Sequence, residues 1–290
     1  MRGRVVLMTE KGIRKFFRES EKVLLRKPVV SAVYLALRAA VIVVMVAQFF
    51  NKNFENVFLC GLTLILFILP TIFERKLKVD LPDTLEIIIM LFIFAAEILG
   101  EIRSYYTTFP HWDTMLHTLN GFLCAAVGFC LVDLFDRSER FSLTLSPAFM
   151  AIVAFCFSMT IGVLWEFFEC TMDKVLLLDM QKDTVVTAIS SVALDPTGGN
   201  HTVIIKNISD VILIADGKEI PLGLGGYLDV GLYDTMADLF VNFIGAFVFS
   251  IIGFFYVKGR GKGKFAGRFI PKILGEGELV PGELESEEKE

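Results

Sequence analysis

The sequence contains no CxxC pair and no HExxH, and none of its five cysteines lies in a long loop. Cys60, Cys124, Cys130, Cys156 and Cys170 all sit inside or at the end of apolar runs, which argues for buried free thiols and against a disulfide framework. Charge is sparse as well: 21% of the 290 residues are charged, 54% are hydrophobic, and 28 are Phe. At a mean hydropathy of +0.61 the chain is too apolar to clothe a soluble domain in polar surface. No small-residue cleavage pattern follows the first apolar run, so that run reads as an anchor and not as a removed signal. What remains is an integral membrane protein.

Six apolar segments of about the twenty residues that cross hydrocarbon follow one another at 28–50, 55–73, 84–100, 113–134, 145–170 and 232–257. Basic residues gather on alternate connections: nine Lys/Arg from Arg2 to Lys27, then Arg75, Lys76 and Lys78, then Arg137 and Arg140, then six from Lys258 to Lys272. The opposite connections hold Lys52, Arg103 and a long insertion in which acids outnumber bases. The positive-inside rule therefore predicts six spans in the cell (inner) membrane with both termini cytoplasmic. The expected fold is all-α, a six-helix transmembrane bundle with a small extracytoplasmic insertion, a short helix plus β-hairpin, between helices five and six.

Residues 1–27 place Ile13, Phe16, Phe17, Val23, Leu24 and Leu25 among the bases, the pattern of an amphipathic helix on an anionic inner leaflet. Spans one to five occupy 28–170, the insertion 171–231, span six 232–257, and a basic then acidic disordered cytoplasmic tail 258–290. Within the insertion, 183–194 reads as an amphipathic helix, while 202–206 and 211–214, with Ala215-Asp-Gly-Lys218, read as small strands with a tight turn. The insertion is either a lid over a membrane site or an ornament. Membrane lipids are the expected partners, with anionic inner-leaflet lipid at the leader and no nucleic acid.

Glu166, Glu169 and Asp173 stand at i, i+3, i+7 on one face of span five as it leaves the membrane. A carboxylate at mid-membrane costs roughly 2.5–3.5 kcal/mol on insertion scales, so this face must look into the bundle or into water. At the same outer level span three carries Glu97 and Glu101, span four begins with Asp113 and His117, and span six with Asp234, Asp238 and Asn242. Steps of four drift only about 40°, so the last three stay on one side while descending about 12 Å. Eight carboxylates faced by His117 and Arg103 cannot all be ionised in a dry pocket; they need protons, water or a cation. Such acids and imidazoles at one-turn spacings are how helix bundles hold divalent ions, here a hard or borderline one such as Mg, Mn, Fe or Zn.

Each residue also has a plainer reading. Asp113 and Asp234 can simply cap their helices, Glu97 or Glu101 can pair with Arg103, Asp173 with Lys174, and His117 can bond Asn120 or Thr118. Glu166 and Asp238 are hardest to explain in this way, since both lie in apolar sequence with no base nearby. Trp112 and Trp165 suit the outer aromatic belt; Gly121, Gly128, Gly162, Gly245 and Gly253 suit close helix contacts. Arg38 in span one either bridges to a neighbouring helix or snorkels inward.

The blocks Trp112-Asp113-Thr-x-x-His117-x-x-x-Gly121, Gly162-x-x-Trp165-Glu166-x-x-Glu169 and Asp234-Thr-x-x-Asp238-x-x-x-Asn242 resemble the YjdF-like bacterial inner-membrane family over about residues 30–257. The resemblance implies a multi-span protein with a polar cluster and transfers no substrate, since that family has no assigned activity. Three functions compete. In the first, Asp113, His117, Glu166 and Asp238 hold a divalent ion, Glu169 and Asp234 act as catalytic groups, Glu97, Glu101, Asp173 and Asn242 support them, and the site acts as a hydrolase or transferase on a lipid or envelope substrate. The second is a proton- or cation-coupled transporter. The third is an accessory or assembly protein whose acids are structural.

Overall fold

The computed structural model describes residues 27–77, 79–136, 145–259, 261 and 263–273. The leader before Lys27, Arg137, Arg140 and the acidic tail 274–290 lie outside the described residues. The chain is mostly helical: α1 Pro28–Phe50, α2 Phe54–Leu66, α3 Leu69–Leu77, α4 Asp83–Phe94, α5 Tyr105–Thr108, α6 Trp112–Asp136, α7 Pro147–Leu176 and α8 Leu232–Lys258. Among the described residues, five stretches are long and apolar enough to cross a membrane: Pro28–Phe50, Phe54–Glu74, Trp112–Asp136, Pro147–Leu176 and Leu232–Lys258. The boundaries follow local chemistry. Asn53 caps α2 by accepting from Asn56 N, Pro70 opens α3 where its missing N–H is harmless, and Ser146 caps α7 ahead of Pro147.

The segment read from its hydropathy as a third span is not one regular helix. Twelve residues of α4 run into eight of π-helix, Ala95–Ile102, which contain both Glu97 and Glu101. Single π-turns occur mostly at functional sites because the wider turn re-aims side chains.

Helices α6, α7 and α8 form one tight group around Phe129, Ala154 and Phe249, while α1, α2 and α4 pack around Val41, Cys60 and Met90. Opposite faces of α4 join the two cores, through Leu85 and Ile88 on one side and Met90 and Ile93 on the other. The outward faces carry exposed Val43, Phe58, Phe167, Phe240 and Phe255, a surface suited to lipid and not to water.

The small sheets are all two-stranded and antiparallel. In the insertion β2 (Val185–Val186) pairs with β7 (Tyr227–Leu228) at the base, and β3 (Ala188–Ser191) with β4 (Val203–Lys206) and β5 (Ile212–Ala215) with β6 (Lys218–Pro221) lie between them. The tight β5–β6 turn falls on Asp216-Gly217, both at positive φ, as a two-residue type I′ hairpin requires. The helix expected at 183–194 does not form. Those residues make β2, β3 and a single 3-10 turn, Val192–Leu194, because Val185, Val186, Thr187 and Ile189 are β-branched and find partner strands.

At the opposite end β1 (Val79–Asp80) pairs with β8 (Lys272–Ile273). Residues 263–273, assigned by composition to a disordered tail, instead fold back on the bundle, with Ile270 buried and Phe269 against Phe122. Two aromatics and an isoleucine among the glycines and bases provide that contact. Lys27, counted with the leader, is drawn in with them. Its Nζ donates to Leu81 O (2.8 Å) and pairs with Asp80 (3.1 Å), Glu86 (3.2 Å) and Glu74 (3.3 Å). The Arg38 guanidinium lies over the ring of Tyr34 on the same helix, 4.6 Å from the centroid.

Candidate functional site

Glycine decides how close α6, α7 and α8 come. A Cβ at Gly245 of α8 would strike the Thr118 carbonyl oxygen of α6, one at Gly121 the Asn242 carbonyl oxygen, and one at Gly162 of α7 would sit 2.6 Å from Asn242 Nδ2. Backbones this near put the side chains just above within reach of one another.

There the three helices bring together five of the expected residues. His117 is the centre. Its Nε2 lies 3.5 Å from Asp113 Oδ1, one turn earlier on α6, and 4.0 Å from Asp238 Oδ2 on α8. Its Nδ1 lies 3.7 Å from Glu166 Oε1 on α7. One ligand atom each from Asp113, His117 and Asp238 falls within 4.8 Å of the others, and the same holds for His117, Glu166 and Glu169. Metal–ligand bonds of about 2.0–2.2 Å place ligand atoms roughly 3–4 Å apart, so small side-chain closures would seat an ion in either group. Glu166 and Asp238 are only 4% and 3% exposed. Glu166 Oε2 and Asp238 Oδ2 are shut from solvent with no hydrogen-bond partner among the described residues, and buried polar atoms are seldom left so.

Asn242 forms the floor one turn below Asp238. It is 1% exposed, accepts from Asn120 Nδ2 (3.3 Å) and donates to Met159 Sδ (3.6 Å), while Ser158 Oγ donates to Gly121 O at 2.7 Å. Amide, thioether and hydroxyl close the pocket from beneath without charge.

Asp173 and Asp234 bind backbone N–H groups at the rim of the cluster, Asp234 near enough to His117 and Glu166 for its charge to act on both. Asp173 accepts from Met180 N and Gln181 N (2.7 and 2.8 Å), and Asp234 from Lys182 N (2.6 Å). Both hold the strap 177–184, which starts where Leu177 turns into the left-handed region after α7. Gln181 Nε2 then donates to Thr235 Oγ1, and both side chains reach Glu166. Asp229 fastens the far end, accepting from Thr184 N (2.7 Å) and from Tyr233 N (2.8 Å) at the start of α8. It is slightly desolvated, but these backbone N–H groups outweigh that and hold its carboxyl below the usual aspartate range.

Glu97 and Glu101 stand to one side. Glu97 is half-buried and Glu101 exposed, and Tyr106 of α5 separates them from the cluster, its ring pressed against Gly100. Burial first, then the surrounding Asp113, Glu101, Glu97 and Glu169 carboxylates, push the Tyr106 phenol above its ordinary range. Spacing along the chain does not reveal Tyr106, whose neighbours come from three other elements; an aromatic pair a few residues before Trp112 carries no chemical signal. Nor does spacing reveal Asp229, legible only as an Asp four residues before Tyr233. Trp165, expected in an aromatic belt, takes part in the site: its Nε1 donates to Glu169 Oε1 at 2.8 Å. Trp112 packs on Tyr105, centroids 4.9 Å apart, in an aromatic group with Phe109.

An uncharacterised protein of Thermotoga maritima is 24% identical over 107 residues, 37% of this chain and 53% of that protein. The chain thus spans about half the length of the curated relative it matches. No solved structure matches it. The family described as Predicted membrane protein (DUF2238) matches residues 33–259, a stretch containing every residue of the cluster, its floor and its strap, and the chain belongs to that family.

Proposed function

We propose that the outer end of α6, α7 and α8 is a divalent-metal site of a membrane hydrolase or transferase acting on a phosphoryl or ester group of a lipid or envelope substrate. The observation that carries this reading is the pair of buried, unpartnered carboxylate oxygens, Glu166 Oε2 and Asp238 Oδ2, on two carboxyl groups that flank one imidazole. Left ionised and unsatisfied, such atoms cost at least about 1–3 kcal/mol each; a divalent cation beside His117 offsets that cost for the carboxylates it binds. Carboxylates with one histidine suit Mn, Fe or Zn, and Mg if water completes the shell. A bound ion would supply Lewis acidity and an acidic water. The chain itself would supply Glu169, held in place by the Trp165 indole, as general base, and Asp234 to keep the strap over the reacting group.

Placement in the cell membrane with six spans and both termini cytoplasmic accords with the basic connections, with the third crossing made by α4 and its π-helical continuation. The YjdF-like resemblance points to the same membrane. The uncharged Asn242 floor favours chemistry on one side over a path through the bundle, and so a hydrolase or transferase over a carrier.

The test is elemental analysis and thermal unfolding of the purified full chain. About one divalent ion per chain, with a midpoint that falls on chelation and recovers on adding Mn2+ or Zn2+, is the expected result. A metal-free protein whose midpoint ignores both treatments overturns the metal site. Lipid turnover in vesicles containing the loaded protein supports the enzyme; Mn2+ uptake under a pH gradient with no turnover replaces it with a carrier. Metal binding with neither, and a phenotype indifferent to E166Q and D238N, leaves an accessory protein.

A further inference from the structure

His117 belongs to both groups that could hold an ion, and the two use opposite edges of its ring. Nε2 faces Asp113 and Asp238; Nδ1 faces Glu166. A neutral imidazole has one lone pair, so it can bind a metal through one nitrogen while the other carries hydrogen. The two positions exclude each other. From this we infer that the ion lies on the Nε2 side, between Asp113 of α6 and Asp238 of α8, and that Glu166 accepts the Nδ1–H and orients the ring. The inference rests on the metal-site reading above and assigns its sidedness.

Three observations choose the side. The third member of the Nδ1 group, Glu169, already accepts from Trp165 Nε1 at 2.8 Å, which ties one of its oxygens and fixes its aim along α7. Asp238 Oδ2 is buried without a partner and is itself the atom turned toward Nε2, whereas the unpartnered oxygen of Glu166 is Oε2 and the one turned toward Nδ1 is Oε1. Exposure also differs: the Asp113 side chain is 33% exposed against 5% for Glu166. The Nε2 side therefore opens to water, as an exchangeable ion with a free coordination position requires, while the Nδ1 side is closed by Gln181 and Thr235. A carboxylate behind a ligating histidine is the usual partner that fixes tautomer and ring angle. Glu166 is then a positioning residue, and α7 orients what α6 and α8 bind.

The test uses the full chain in lipid nanodiscs, with H111N and H201N leaving His117 as the sole histidine, and Zn2+ as probe. D113N and D238N should each weaken Zn2+ binding more than 100-fold, whereas E166Q should keep one-to-one binding with Kd raised roughly 10- to 100-fold. E169Q should change Kd less than threefold. Nitrogen-15 spectra of the unaltered cluster should place zinc on Nε2 and hydrogen on Nδ1, a readout independent of whether any variant folds. Zinc on Nδ1, or E166Q and E169Q abolishing binding that D238N preserves, overturns the assignment and leaves the metal site standing. A wild-type chain that takes up no Zn2+, Mn2+ or other divalent ion overturns both.

Discussion

A methyl group added at Gly245 would run into the carbonyl oxygen of Thr118 on the neighbouring helix, while one added at Gly61 meets nothing within 4 Å. The first obstacle is backbone, which cannot swing aside as a side chain can. G245A should therefore destabilise by about 1–3 kcal/mol through forced separation of α6 and α8, and should disturb the cluster directly above. G61A should be neutral or stabilise by up to about 1 kcal/mol, as Ala for Gly in a helix interior does. Unfolding in mixed micelles compares the two; equal effects would mean the glycine contacts do not set the helix spacing. At this scale the sequence was informative where a residue's cost was high. Glu166 and Asp238 announced themselves by sitting in apolar runs, and they do converge on His117. Asp173 and Asp234 share the same faces and spacings, yet Asp173 spends both oxygens and Asp234 its Oδ2 on backbone N–H groups, because at the rim of a bundle a returning loop offers donors that no periodicity reveals.

Among the elements, the strap 177–184 stands out because carboxylates hold it at four successive points: Asp173 at Met180 and Gln181, Asp234 at Lys182, and Asp229 at Thr184. Replacing Asp229 by Ala removes an acceptor shared by the strap and the first turn of α8, a loss of about 0.5–2 kcal/mol by analogy with helix caps. Amide hydrogen exchange at Thr184 and Tyr233 should quicken while that of α6 does not. The loop after β3 responds to acid in a defined direction. Asp195 accepts from the Thr197 hydroxyl (2.7 Å), from Thr197 N (2.9 Å) and from His201 N (3.0 Å), and these bonds, the hydroxyl's foremost, hold its carboxyl well below the usual aspartate range. A lowered folded value means that the stabilisation is complete above the ordinary aspartate pKa, about 3.9, and is lost as pH falls toward the lowered one. Amides 197 and 201 should stay protected from neutral pH down to about 4 and lose protection in more acidic solution; loss already at pH 6 would contradict the bond pattern. Element type was legible for the long helices, where apolar length alone decides. It was misread at 183–194 because apolar residues in twos and threes fit either period, and pairing with β4 and β7, 12 or more residues further on, settled the matter.

At the scale of the whole molecule, the described residues form a polar cluster near the insertion, around His117, and an ion-pair cluster around Lys27. With the native cysteines replaced by Ser, L213C in the hairpin should react with an impermeant maleimide added outside intact cells, and K76C only after lysis; the reverse labelling would invert the proposed orientation. The long apolar spans and the gathering of the acids at one end of α6, α7 and α8 could be read from order along the chain, whereas the Lys27 cluster could not, since its partners at 74, 80 and 86 are 47 or more residues away and belong to three separate elements. Replacing Lys27 by Met strands the 5%-exposed Glu74 side chain and should cost about 3–5 kcal/mol. That ammonium also has a history in time. It leaves the ribosome before any of the acids that neutralise it, so α1 cannot take its final seat until α4 has begun to emerge. A nascent chain halted with only α1 and α2 outside the exit tunnel should hold its first helix loosely, as crosslinking to lipid and translocon would reveal, and should lock it only when synthesis has passed Glu86.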